Sequence, residues 1–127
     1  MMLPDSSVWI DHFRHGSAFL AESLENDQAL CHPFIIGELA CGHLPSRVST
    51  IQWLRTLPEA PLLQHAEVLL LIERHRLMAS GIGWIDAHLL GSALLARAEL
   101  WTLDAPLARA ARRLGVNPKT TSGSGAR

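Results

Sequence analysis

The order of apolar segments predicts an α/β fold, built on a mainly parallel sheet of about five short strands. Three observations carry that expectation. Short runs of apolar and β-favouring residues alternate with longer stretches of helical spacing. The clearest pair is the helical stretch Gly81–Ala96 followed by the strand-like Glu99–Leu103; a helix of about 14 residues descends about 20 Å and a strand of about five climbs back about 17 Å. The chain of 127 residues fits one domain with a real core and is too short for two.

Taken in order, Met1 to Pro4 form a brief strand ending at Asp5, and Ser6-Ser7 offers a cap for a helix through Val8, Trp9, Ile10 and Phe13. A second helix carries Phe19, Leu20 and Leu24 on one side and leads to a strand at Gln28–Cys31. His32-Pro33 opens a third helix, with proline in a first-turn position where its missing N–H does no harm, and Gly42 is its expected C-cap. A helix near Val48–Arg55 follows, then a loop marked by Pro58 and Pro61, with Pro61-Leu62-Leu63 as a short edge strand. Ala66 to Arg74 contain five consecutive apolar residues, which cover every side of a helix and call for burial on both sides, by the core and by a partner. A homodimer is expected at that face. After the central helix and its strand come a helix from Pro106 to Arg113, a last edge strand at Leu114–Val116, and a disordered Ser/Gly-rich tail over 119–127.

Composition narrows the class of protein. Hydrophobic residues make up 48% and charged ones 18%, the balance of a globular chain rather than a disordered one. Net charge is −1, yet the distribution is uneven. Residues 97–127 hold six Lys/Arg against Glu99 and Asp104, while the first 96 hold five Arg against ten acids. Cys31 and Cys41 lack metal-type spacing, so two reduced, buried thiols are expected. No leader pattern and no stretch of about 18 apolar residues occurs, which places the chain in the cytoplasm as an expectation.

Four acids stand where a strand has just ended or a helix has just begun: Asp5, Glu38, Asp86 and Asp104. Each has an ordinary local explanation as a cap, a surface residue or a turn residue. Asp86 also continues the stripe of Leu89, Leu90, Ala93 and Leu94 and so heads a buried face. In an open α/β sheet all four converge on the carboxyl edge of the strands, where ligands bind. Like-charged carboxylates about 4 Å apart repel by about 4 kcal/mol per pair at an effective dielectric of 20, so such a cluster calls for a cation. All-oxygen donors favour Mg²⁺, with Mn²⁺ as a substitute, and phosphodiester hydrolysis is the chemistry suited to that site.

At these residues the chain resembles a known family. Asp5-Ser6-Ser7-Val8-Trp9-Ile10-Asp11 is similar to the opening motif of PIN-domain proteins, in particular the VapC-type toxins of bacterial toxin–antitoxin pairs. Ile36-Gly37-Glu38-Leu39, Ile85-Asp86-Ala87-His88-Leu89 and Leu100-Trp101-Thr102-Leu103-Asp104 resemble the family's other acidic motifs, in the same order. The likeness covers about residues 1 to 118. It implies a three-layer α/β/α sandwich and an Mg²⁺-dependent endoribonuclease. It further implies a cognate VapB-type antitoxin that wraps the toxin and blocks the acidic pocket. By the same resemblance Asp5, Glu38, Asp86 and Asp104 hold the metal, and Ser6 and Thr102 support them from behind. Pro4 departs from the pattern: it cannot donate to a ladder, so it must stand at the strand's end or shift Asp5.

Two other classes compete. A phosphoacceptor signalling domain also gathers acids and Mg²⁺ at a sheet edge, but wants paired acids after the first strand and a lysine near the last, and the only lysine here is Lys119. An inactive protein-interaction module would use the acids merely as caps. The seven histidines follow no ligand spacing, Trp9, Trp53, Trp84 and Trp101 suit core or interface burial, and Arg109, Arg112 and Arg113 suit a solvated face or RNA phosphate. Gly81-Ile82-Gly83 is too short for a phosphate loop.

Overall fold

The parallel pairing expected from the helix–strand alternation is present, on a smaller scale. A computed structural model describes residues 1–119. Its elements run β1 (Met2–Pro4), α1 (Ser6–His15), α2 (Ala18–Glu25), α3 (Pro33–Ala40), α4 (Arg47–Leu54), α5 (His65–His75), α6 (Trp84–Ala96), β2 (Glu99–Trp101) and α7 (Ala105–Leu114). β1 and β2 pair in parallel, Met2 opposite Glu99, Leu3 opposite Leu100 and Pro4 opposite Trp101. Pro4 is the last strand residue; toward β2 its missing N–H is not needed, since Asp5 N–H makes the next bond, to Trp101 O at 2.9 Å, but on the other side the row of Met2 N–H to Gln28 O and Leu30 N–H to Met2 O ends where Pro4 has no N–H to offer.

The five strands expected from sequence reduce, among the described residues, to these two regular strands and isolated rows beside them. Met2 bridges Ala29, and Cys31 bridges Glu59, both in parallel. Leu100 N–H donates to Val116 O at 2.7 Å. The segment Gln28–Cys31 thus pairs through single positions rather than as a strand. The edge row falls at residues 58–60, not at Pro61-Leu62-Leu63, because Pro58 O accepts from Cys31 N–H and Ala60 N–H donates to Cys31 O, while Pro61 has no N–H to offer. Leu114 is still helical, and Gly115 caps α7 at φ +76, so only Val116 is left to pair. Of the tail expected over 119–127, residues 120–127 lie outside the described residues; Lys119 N–H donates to Glu99 Oε2 at 3.1 Å.

The core is made by the elements that bracket the sheet. Leu3, Trp9, Leu20, Ile35, Leu54, Leu89, Leu90, Leu100 and Leu107 are buried in one cluster. α6 is buried on nearly every side from Ala87 to Ala93, since β1, β2, α5 and α7 all pack on it. Gly91 permits this approach: a Cβ there would lie 2.5 Å from Leu63 Cδ2. α5 buries Val68 fully, leaves Leu71 and Ile72 half-buried against the core, and exposes Leu69 and Leu70. Cys41 is exposed rather than buried; Cys31 is buried, which pushes its thiol up to about 11. No helix among the described residues is long and apolar enough to cross a membrane.

Candidate active site

Asp5, Asp86 and Asp104 take their positions from helix starts, whereas Glu38, expected in an early turn, is the sixth of the eight residues of α3 because that helix already begins at Pro33. Asp5 follows β1 and is the N-cap of α1, in place of the expected Ser6-Ser7. Its Oδ1 accepts from Val8 N–H at 3.2 Å and from Ser7 Oγ at 2.5 Å, and its Oδ2 accepts from Thr102 Oγ1. Ser7 Oγ also accepts from Leu103 N–H at 2.9 Å, and Thr102 Oγ1 accepts from Asp104 N–H at 3.0 Å. Two hydroxyls therefore tie the head of α1 to the turn after β2. Asp5 is buried, and that desolvation raises its carboxyl above the ordinary value of 3.8 while the bonds from Ser7, Thr102 and Val8 pull it down.

Asp104 is the N-cap of α7, where its Oδ2 accepts from Leu107 N–H at 3.2 Å and Pro106 fills a first-turn position. Asp86 lies in the first turn of α6 and reaches back to accept from Gly83 N–H at 3.2 Å. Glu38 is exposed on α3 beside buried Ile35 and Leu39, so it borders the apolar stripe rather than being sunk in it. It lines a cleft of about 620 Å³ with Ile10, Phe13 and Arg14. The capping role expected of Asp5 is thus made and Asp104 is a cap as well, but the N-cap of α6 is Gly83, with Asp86 three residues on and bonding back to it. None of them uses up a carboxylate, because each oxygen has two acceptor sites.

What joins the four is their charge. Burial raises the Asp86 carboxyl, the Gly83 N–H lowers it, and the charges of Asp104, Asp5 and Glu38 raise it further. Among the described residues no Lys or Arg is in ion-pair contact with any of the four. No three His, Cys, Asp or Glu side chains among the described residues stand close enough to hold a metal ion by themselves. The four carboxylates thus share one electrostatic neighbourhood without forming a closed coordination shell.

Ser6 makes no side-chain hydrogen bond among the described residues; the supporting hydroxyl at the head of α1 is Ser7, which sequence reasoning passed over. One residue separates them, and helical direction, not composition, decides which hydroxyl reaches Asp5. His32 was also passed over. It is buried, caps α3 by accepting Phe34 N–H on Nδ1 at 3.0 Å, and leaves Nε2 without a partner among the described residues. Burial, with a smaller push from His88, lowers it to about 4.

No family model matches the chain. Among curated proteins it is similar to Ribonuclease VapC32 from two strains of Mycobacterium tuberculosis, in each case 46% identical over 117 residues, which span 91% of this chain and 94% of the relative. At that identity and coverage, the chain belongs to the VapC-type PIN ribonuclease family.

Proposed function

We propose that the chain is a metal-dependent endoribonuclease toxin that hydrolyses RNA phosphodiester bonds, and that Asp5, Glu38, Asp86 and Asp104 hold its Mg²⁺, with Mn²⁺ as a substitute. The observation that carries the reading is the Asp86 carboxyl, raised first by its burial and then by the charges of Asp104, Asp5 and Glu38, with no Lys or Arg among the described residues in ion-pair contact with any of the four. Carboxylates whose charges act on one another without a paired cation fit a hard divalent ion, and Mg²⁺ keeps several waters, so acids too far apart to close a shell can still hold it through them. When bound, the ion supplies a water of lowered pKa and positive charge against the scissile phosphate. The chain's own residues do the rest. Ser7 and Thr102 fix both oxygens of Asp5, so that its carboxylate does not rotate away. The Gly83 N–H orients Asp86, and the caps on α1 and α7 hold Asp5 and Asp104 at the sheet edge.

The same reading extends to the rest of the chain. The two strands and the rows at 28–31, 58–60 and 116 are the five-stranded sheet of a three-layer PIN domain over residues 1–118, with a cytoplasmic toxin's VapB-type antitoxin as its inhibitor. Exposed Leu69 and Leu70 on α5 are the contact of a homodimer. Purified wild type and Asp86→Asn are to be compared on single-stranded RNA with Mg²⁺ and with a chelator. Cleavage by wild type alone, and only with the ion, is expected. Cleavage that survives chelation overturns the metal site, and RNA binding without cleavage by wild type favours an interaction module.

A further inference from the structure

A cleft of about 540 Å³ opens beside the acids, within the range of about 300–1,000 Å³ typical of ligand sites. It is bordered by the start of α2, the end of β2 and the exposed side of α7. Thr102 lines it and also donates to Asp5, so the cleft begins one side chain from the acids.

Two features of its lining are complementary to one kind of ligand. Phe19 and Trp101 give it an aromatic wall, their ring centroids 4.2 Å apart and their planes inclined by 35°, with Phe19 42% exposed. Arg112 reaches the same cleft from α7, exposed and without an ion pair or hydrogen bond among the described residues. Asp11, also in the lining, has its Oδ1 3.1 Å from His15 Nδ1. An aromatic face and an unpaired cation match the flat ring and the phosphate of a nucleotide. An apolar protein side chain would use the aromatic face and leave Arg112 without a counter-charge.

We propose that this cleft receives a nucleotide flanking the scissile phosphate of single-stranded RNA, its base against Phe19 and Trp101 and its phosphate at Arg112. This rests on the ribonuclease reading of the acids. Binding here is sequence-tolerant in its stacking, and Arg112 adds affinity that falls with salt.

The test is fluorescence anisotropy with a labelled single-stranded hexaribonucleotide, titrated with Asp86→Asn protein in the absence of divalent ions. The same oligonucleotide is then used with one abasic nucleotide at each position in turn. One abasic position is expected to weaken binding about tenfold, as loss of one stacked base does. Phe19→Ala in the same background should weaken the intact oligonucleotide about tenfold and erase the abasic penalty, while Phe19→Trp restores both. Arg112→Gln, on an exposed position with no folding role, should lower the salt slope by about one. Unchanged binding in Phe19→Ala and Arg112→Gln overturns the proposal, as does an abasic penalty that persists in Phe19→Ala. Loss of antitoxin binding in these variants with RNA binding intact assigns the cleft to a protein and overturns it too. Cleavage of the same RNA by wild type with Mg²⁺ is scored alongside. Absent cleavage removes the ribonuclease reading and this proposal with it; cleavage with unchanged variants removes this proposal alone.

Discussion

Replacing Thr102 by valine removes one hydroxyl and almost no volume, which isolates what that hydroxyl does for the acids. Thr102 Oγ1 donates to Oδ2 of buried Asp5 and accepts Asp104 N–H. A hydrogen bond to a charged group contributes about 1.5–3 kcal/mol, and the exposed Asp104 N–H can turn to water, so the net loss is about 2 kcal/mol. For a chain of this size that is a fall in Tm of about 5–10 °C. The fall should depend on pH. Burial holds the Asp5 carboxyl above 3.8, so the folded state binds its proton more tightly than the unfolded one. Stability is therefore greatest below the unfolded pKa and declines as pH rises through the folded value. Thr102 opposes that decline, since its bond favours the charged form. Its removal should cost most at pH 7, and about half as much at pH 3, where Asp5 is protonated in both states. Thr102→Ser keeps the donor and should restore most of the loss, and Mg²⁺ affinity in Thr102→Val should fall about 10- to 100-fold. Thermal unfolding by circular dichroism at the two pH values reads the first effect and calorimetric titration the second. An equal fall in Tm at both pH values, or no rescue by serine, would refute the assignment of the hydroxyl to the charged Asp5.

The remaining predictions concern charge, acid and assembly. Asp86→Asn should abolish RNA cleavage and raise Tm at pH 7 by about 2–4 °C, because a half-buried charge repelled by three others is removed and the screened relief is on the order of 1 kcal/mol. The same substitution should erase the Tm increase that Mg²⁺ gives the wild type, about 2.7 kcal/mol at 100 times Kd. His32 lies at about 4 when folded against 6.5 unfolded, so the chain should lose on the order of 3 kcal/mol as pH falls from 6.5 to below 4. His32→Asn, which keeps a cap for α3 without a titrating ring, should flatten that acid loss in a pH series of unfolding curves. Leu70→Glu, 59% exposed on α5, should leave Tm within about 1 kcal/mol of wild type yet convert a dimer to a monomer in sedimentation.

The positions of three of the candidate acids were legible because each marks a boundary, while Glu38 lies in the second half of α3. Asp5, Asp86 and Asp104 all punctuate a helix start, and the alternation of elements brings helix starts to one edge of a parallel sheet. The helix that heads with Asp86 was legible too, since Leu89, Leu90 and Ala93 recur at helical spacing and all are buried. The strands were harder. Apolar runs of four or five residues predict a strand, but regular pairing depends on the neighbour presenting its own N–H and C=O groups in register. Pro61 has no N–H, Leu114 remains in α7, and Gln28–Cys31 turns from one neighbour to the other after two residues. Sequence spacing also could not choose between Ser6 and Ser7. That choice belongs to the direction in which a first-turn side chain leaves the helix, which only the folded backbone fixes.

The most direct measurement is anomalous diffraction from a crystal grown with Mn²⁺. A peak is expected among Asp5, Glu38, Asp86 and Asp104, linked to them directly or by waters. No peak there, or a peak only at some other part of the surface, would contradict a shared cation site.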